Sequence, residues 1–202
     1  MNSEIIGLLG TAFLMGGYVP YLYALYRKQA KPHAFSWLLW GVMNAIVCAV
    51  QVTENAGPGA WTSGIATIFN FGIGIYALKY GERNIAKADW VILLSVLLAL
   101  PLWAVTKNPV WSVILVSVLD TLAFLPTFRK SWHRPNEEVA TTFFMGMIGY
   151  GLAWLAVDNA SFANICFPAK VVVVNGLFVA LLLYRRHALS NRGKLAECQA
   201  AA

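Results

Sequence analysis

A single carboxyl group interrupts an otherwise uncharged segment, and its chemistry is the first question that this sequence raises. Asp120 lies in the middle of residues 108–128, which contain no other charged side chain. An ionised carboxylate in such surroundings is costly, so the group must be protonated, paired or in contact with water. One interpretation is a proton-coupling site. The alternative is a structural carboxyl group that is bonded to a neighbouring hydroxyl or amide.

Two asparagines lie near the centres of two other apolar segments. Asn70 belongs to residues 55–78, and Asn175 belongs to residues 159–184. A carboxamide in an apolar segment needs a hydrogen-bond partner. The functional interpretation is a symmetric pair that faces a central cavity and binds hydroxyl groups of a substrate. The alternative is hydrogen bonding between helices.

Three other side chains are secondary candidates for the same cavity. Asn44 and Gln51 lie in residues 32–53, where they are interpreted as cavity residues or as hydrogen-bonding groups between helices. Trp154 lies near the end of residues 139–157, a position that suits the aromatic belt at a membrane surface.

Two prolines lie late in their apolar segments. Pro20 and Pro126 each remove one backbone hydrogen bond and disfavour a straight helix. They are interpreted as hinges for a conformational change or as static kinks, which are common in membrane helices.

The other polar residues predict no catalytic residues, no metal and no cofactor. Within the apolar segments there is no Ser-His-Asp set and no pair of carboxylates, and Glu137 and Glu138 lie between segments. No two of His33, His133 and His187 have the spacing of metal ligands on one helix. The sequence therefore predicts that the protein is not an enzyme.

The segments that hold these residues are apolar enough to span a membrane. Of the 202 residues, 59% are hydrophobic and only 12% are charged, whereas a soluble domain has about 25% charged residues. A spanning helix needs about 20 residues, and backbone groups in lipid must bond internally, which requires helices here. Seven candidate spans lie between the charged residues: 5–26, 32–53, 55–78, 90–106, 108–128, 139–157 and 159–184.

Basic residues fall in alternate gaps between these spans. Thirteen of the 15 Lys and Arg residues follow the first, third, fifth or seventh span, and only Lys107 and Lys170 do not. Cytoplasmic loops of membrane proteins are rich in Lys and Arg. The pattern predicts an outside N-terminus, a cytoplasmic C-terminus and a multi-pass protein of the cell or inner membrane. It also disfavours a nucleic-acid partner, since the basic residues form no single patch.

Spans 1–3 and spans 5–7 resemble each other. Five features recur at offsets of 102 to 105 residues: Arg27-Lys28 with Arg129-Lys130, Pro32 with Pro135, Glu54-Asn55-Ala56 with Asp158-Asn159-Ala160, Asn70 with Asn175, and Tyr80 with Tyr184.

Three spans invert the chain, so a linker helix is needed before a second copy can run parallel to the first. The predicted fold is an all-α membrane protein with seven transmembrane helices in a 3+1+3 arrangement. Its predicted parts are a first repeat, a linker helix, a second repeat and a disordered cytoplasmic tail: 1–85, 86–107, 108–187 and 188–202.

With these features the chain resembles the PQ-loop superfamily, and within it the SWEET and SemiSWEET transporters. The resemblance rests on the 3+1+3 layout, on Pro20 and Pro126 late in the first helix of each repeat, and on the asparagine in each third helix. Tyr21 and Thr127 follow those prolines where the family has glutamine.

The resemblance implies that Asn70 and Asn175 are substrate ligands and that Trp154 stacks against a sugar. Some members of the superfamily couple transport to protons, which is compatible with Asp120 as the proton-coupling candidate. A homo-oligomer is also compatible with it. We therefore expect a transporter of a small polar solute, with sugars among the candidates, that works by alternating access in the lipid bilayer. The alternative is a non-transporting seven-helix protein, such as a receptor-like or accessory subunit.

Overall fold

In the part of the chain that the structure describes, every regular element is helical. The computed structural model describes residues 2–82, 87, 90, 91, 94, 105, 106 and 108–200, with side chains to residue 191. It contains six α-helices in these residues and no strand, which confirms the all-α prediction. The predicted fourth span, and with it the linker helix 86–107, lies mostly outside the described residues. The helices are α1 (Ser3–Tyr26), α2 (Ala34–Thr53), α3 (Trp61–Tyr80), α4 (Pro109–His133), α5 (Ala140–Leu155) and α6 (Phe162–Ala200).

Five described helical segments are long and apolar enough to cross a membrane. They are α1, α2, α3 with the short turn before it, α4, and the part of α6 from Phe162 to Asn191. Helix α5 has 16 residues, so it is about 24 Å long, less than the roughly 30 Å of a bilayer core. Large apolar side chains such as Val19, Ile68 and Leu177 are exposed on the outside of the bundle, as expected of a protein that is embedded in lipid.

Local side chains fix where several helices begin. The side chain of Asn2 accepts a hydrogen bond from the backbone N–H of Glu4, 3.0 Å away, and so caps α1. Asn108 caps α4 in the same way through the N–H of Val110, with Pro109 in the first turn, where a missing N–H costs nothing. Helix α1 ends before Lys28, which has a φ of 58°, a left-handed conformation that commonly terminates helices.

The six helices pack as a ring in the order α1, α3, α2, α4, α6, α5 and back to α1. Side-chain contacts give the directions of the helices. The paired residue numbers rise together between α1 and α3 and between α4 and α6, so each of these pairs is parallel, whereas α2 runs against α3. The contacts between α1 and α3 are Thr11–Thr62, Tyr18–Asn70 and Leu25–Tyr76. Those between α4 and α6 are Ser117–Cys166, Asp120–Lys170 and Phe128–Phe178. Those between α2 and α3 are Leu38–Gly74 and Cys48–Gly64.

Helices α1 and α5 approach each other closely because glycines line their crossing. A Cβ atom at Gly10 would lie 2.8 Å from the carbonyl oxygen of Gly149, and one at Gly17 would lie 2.7 Å from the Cβ of Met145. Small residues allow such close approach of membrane helices. The glycines therefore allow α1 and α5 to pack closely as neighbours in the ring.

Helix α6 is longer than the sequence indicated. It continues to Ala200, whereas residues 188–202 were expected to form a disordered tail. Arg, Ala, Leu, Lys and Glu predominate after Tyr184, and these residues have high helix propensity. Extending an existing helix also avoids the cost of nucleating a new one, so the helix persists beyond its apolar part.

Candidate functional site

A cavity lies at the centre of the ring and receives side chains from all six helices. Its volume is about 70 Å³, enough for a few water molecules. It contains four residues that the sequence singled out, namely Asn44, Asn70, Asp120 and Asn175. The other lining residues are Leu14, Tyr18, Trp37, Trp40, Ala66, Phe124, Thr142, Phe143, Gly146, Tyr150, Lys170, Val171 and Val174.

Asp120 forms an ion pair with Lys170 at the wall of this cavity. The carboxylate accepts a hydrogen bond from the Lys170 ammonium group, and the side chains of Asp120 and Lys170 are only 6% and 15% exposed. The ammonium nitrogen also lies 4.1 Å from the centre of the Phe167 ring. Of the three states that the sequence allowed for Asp120, the structure has the paired one. Its partner is a cation, whereas the structural alternative named a hydroxyl or an amide.

Tyrosine hydroxyls satisfy two of the three cavity asparagines. Tyr18 donates a hydrogen bond to Oδ1 of Asn70 over 2.7 Å. Tyr150 donates to Oδ1 of Asn44, whose amide nitrogen donates to the carbonyl oxygen of Trp40, 2.9 Å away. These bonds join α1 to α3 and α5 to α2, so Asn70 and Asn44 hold helices together and also line the cavity.

Asn175 differs from these two because its side chain makes no hydrogen bond within the described part of the chain. Its side chain lies beside Gly146, where a Cβ atom would be 3.1 Å from the amide nitrogen. Tyr18 stands two residues before Pro20, and the matching residue before Pro126 is Phe124, which has no hydroxyl. Phe124 therefore offers no donor like the Tyr18 hydroxyl that bonds to Asn70.

Trp40 offers a further donor at the cavity. The residue is 6% exposed, and its buried indole N–H has no hydrogen-bond partner among the described residues. A buried indole N–H usually finds a partner. Trp40 therefore belongs with Asn175 as a polar group that a bound molecule can satisfy.

Gln51 and Trp154 do not line the cavity. Gln51 is buried at one end of the ring, where its amide nitrogen donates to the carbonyl oxygen of Asn164, 3.4 Å away. Trp154 is 43% exposed on the outside of α5. Gln51 therefore forms a hydrogen bond between helices, and the aromatic belt remains the interpretation of the exposed Trp154.

A network of charged groups closes one end of the ring, here called the charged end. Lys130 and Glu138 form a buried ion pair with side-chain exposures of 3% and 0%. The hydroxyl of Tyr21 donates to the same carboxylate over 3.0 Å. Arg134 forms a second ion pair with Glu82. The sequence analysis did not predict this network, because the position of Glu138 between two spans does not reveal that its carboxylate is buried.

The opposite end, here called the polar end, is closed by backbone and amide groups. The side chain of Asn159 donates to the carbonyl oxygen of Glu54 over 3.1 Å, and the N–H of Asp158 donates to the carbonyl oxygen of Ala56 over 3.2 Å. Asn164 also donates to the carbonyl oxygen of Glu54, 3.2 Å away. Hydrogen bonds and ion pairs thus join the segments at both ends of the ring.

The two prolines lie between the cavity and the charged end. Pro20 is inside α1 and Pro126 is inside α4, and both helices continue past them. Pro126 lines a second space of about 250 Å³ at the charged end, together with Lys130 and Arg134. A bend at Pro126 would therefore move the residues of the charged network.

No family model matches the chain, and no curated protein or solved structure is significantly similar to it.

Proposed function

We propose that this protein is a membrane transporter that binds a small polar solute in the central cavity and exposes it to each face of the membrane in turn. The observation that carries the proposal is a cavity with an ion pair and polar groups at the centre of an apolar helical ring. Polar and ionisable groups at such a place are costly in a membrane and commonly mark a solute pathway. The chain has no catalytic role in this proposal.

The ring order supports two parallel repeats, with α1–α3 in the first and α4–α6 in the second. In each repeat the third helix lies between the other two, and α1 and α5 meet in the same way as α4 and α2. Exchanging the two repeats leaves this order unchanged. The equivalent segments around Glu54 and Asp158 also meet each other at the polar end, as expected near a two-fold axis.

This arrangement is the one that the resemblance to the PQ-loop superfamily implies, with residues 86–107 as the linker helix and seven spans in all. Parallel repeats related by an axis along the membrane normal carry their site between them, near the midplane. A SWEET-like transporter is accordingly part of the proposal, and so is its location in the cell or inner membrane.

The distribution of basic residues supports a cytoplasmic charged end. Helices α1, α3 and α4 end at this end, close to Arg27, Lys79 and Lys130, and α6 passes it at Arg185. The N-terminus, where α1 begins, would then lie outside, and α6 would carry the C-terminus into the cytoplasm.

Alternating access requires that the two ends open separately. At the charged end the Lys130–Glu138 pair would break, and bending at Pro20 and Pro126 would move α1 and α4 apart. At the polar end the hydrogen bonds around Glu54 would break. Because Asp120 is paired with Lys170, the membrane potential or a proton would act on the ion pair rather than on Asp120 alone. The transport assay described next also measures proton coupling.

The test is uptake into proteoliposomes for a panel of sugars, amino acids and small acids, with and without a pH gradient. We expect Asn175→Ala to lower uptake of the transported solute at least about tenfold, since the loss of a hydrogen bond in a buried site is worth about 1 to 3 kcal/mol. Asn191→Ala is the matched control, because Asn191 is on the same helix but exposed beyond the cavity.

Uptake that is equal in Asn175→Ala and Asn191→Ala would exclude the cavity as the site. Folded protein that moves nothing in the panel would favour the non-transporting alternative. Asp120→Asn tests coupling in the same vesicles, since loss of the pH dependence with retained uptake would identify Asp120 as the coupling group.

A further inference from the structure

The central cavity contains one anionic and one cationic side chain among its described residues, Asp120 and Lys170. From this pair we infer that the solute is a small zwitterion of the α-amino acid type. Its carboxylate would face Lys170 and its ammonium group would face Asp120. The inference rests on the proposed transport function, for which it names the class of solute.

The location of the pair is the first argument. Both residues are in membrane-spanning helices, and Asp120 and Lys170 are the charged side chains in residues 108–128 and 159–184. Replacing a buried ion pair by apolar residues is often neutral or stabilising for a fold. A pair that served only to join α4 and α6 would have no need to line the cavity, and these helices already pack through Phe124, Phe128 and Phe178.

Charge balance is the second argument. A zwitterion brings one charge of each sign, so it can lie antiparallel to the ion pair and leave every charge with a partner. An anion or a cation alone would leave one buried charge unbalanced, which is strongly unfavourable in a site of low dielectric constant. A neutral sugar offers only hydroxyl groups, so it has no charged group that could pair with Asp120 or Lys170.

The geometry of an α-amino acid fits a contacting pair. One carbon atom separates its ammonium and carboxylate groups, so both can reach two side chains that touch each other. The indole N–H of Trp40 has no partner in the described part of the chain, and the carboxamide of Asn175 also lines the cavity. Both can donate to a carboxylate. The cavity of about 70 Å³ favours the smallest amino acids over a hexose.

Binding to the purified full-length protein in detergent tests the inference without requiring flux. L-Alanine is compared by calorimetry with three molecules of similar size: propionate, which has only the carboxylate, ethylamine, which has only the ammonium group, and glycerol, which has neither. We expect alanine to bind at least about tenfold more tightly than each of the others. Equal or tighter binding of propionate, ethylamine or glycerol would overturn the inference.

A double variant separates binding from folding. Asp120→Asn with Lys170→Gln removes both charges together and leaves no unpaired ion, and Asn191→Ala again serves as the control. We expect the double variant to keep its melting temperature and to lose alanine affinity at least about tenfold. A structural ion pair would give the reverse result, a lower melting temperature with unchanged affinity, and that result would refute the assignment.

The outcomes also distinguish this inference from the proposed function. Transport of a neutral solute that depends on Asn175, with no binding of alanine, would refute the zwitterion and leave the transporter standing. Alanine binding that depends on the Asp120–Lys170 pair, with no flux in vesicles, would support the zwitterion site and refute transport. Neither binding nor flux would refute both.

Discussion

At the scale of single residues, the cavity combines groups that are already satisfied with groups that are not. The carboxamides of Asn70 and Asn44 are engaged by Tyr18 and Tyr150, so they contribute to rigidity as much as to binding. Asn175 has no such partner among the described residues. A solute that enters the cavity can therefore gain a hydrogen bond from Asn175 without breaking one inside the protein, and this makes Asn175 the most informative asparagine to vary.

The surroundings of Asn175 allow a gentler test than its removal. In Gly146→Ala the new Cβ atom would lie 3.1 Å from the Asn175 amide nitrogen, a contact that forces the carboxamide to shift by a few tenths of an ångström. We expect the KM for the transported solute to rise about fivefold, which corresponds to about 1 kcal/mol of lost contact.

Gly151→Ala is the matched control for this variant. Gly151 is on the same helix, but a Cβ atom there would lie at an ordinary 3.7 Å from the side chain of Val172. An unchanged KM in Gly146→Ala, or the same rise in both variants, would mean that Asn175 does not contact the solute.

Sequence reasoning could find the polar residues of the cavity but not their partners. Asp120, Asn70, Asn175 and Asn44 were recognisable because polar groups are costly in apolar helices. Which group satisfies each of them depends on which helices are neighbours. The pairing of Asp120 with Lys170 joins α4 to α6, and no local pattern reveals that contact, although a lone charge in each of two spans was a signal that the sequence contained.

At the scale of helices, apolar runs predicted the elements well and their ends less well. Helix α4 runs five residues past the apolar run that ends at residue 128, because a helix can extend from lipid into a polar surface without losing its hydrogen bonds. Helix α3 begins at Trp61 rather than at residue 55, since Gly57 adopts a φ of 60° and Pro58 starts a separate short turn.

The charged end leads to a prediction at this scale. In Glu138→Gln the buried ammonium group of Lys130 loses its ion-pair partner, and exposing it to water becomes the favourable alternative. We expect this end to open more often, so that a cysteine introduced for the cavity residue Thr142 reacts at least about tenfold faster with a small water-soluble thiol reagent.

The measurement uses a background in which the three native cysteines are replaced by serine. Glu4→Gln is the control, since Glu4 is exposed at the start of α1, at the opposite end of the ring. If Glu138→Gln and Glu4→Gln give equal reaction rates at position 142, the Lys130–Glu138 pair does not keep the cavity closed.

At the scale of the whole molecule, the two repeats that we propose differ in the chemistry of their cavity residues. The proline alignment matches Asp120 with Leu14, and the asparagine alignment matches Lys170 with Ile65, so the ion pair exists only in the second half. The Tyr18–Asn70 hydrogen bond exists only in the first half. A cavity with these two unlike walls suits a solute whose own ends differ, which agrees with the zwitterion inferred above.

The direction of the whole molecule in the membrane gives the last prediction. If the charged end is cytoplasmic, the segment around residue 160 at the polar end lies outside and residue 190 of α6 lies inside. Both Ala160 and Ser190 are exposed, so cysteines at these positions should be accessible. We expect a membrane-impermeant maleimide to label Ala160→Cys on intact cells, and to label Ser190→Cys only after the membrane is permeabilised. Each variant is the control for the other. The reverse labelling pattern would mean that the charged end lies outside the cell. Labelling of both cysteines on intact cells would mean that residues 162–191 do not cross the membrane.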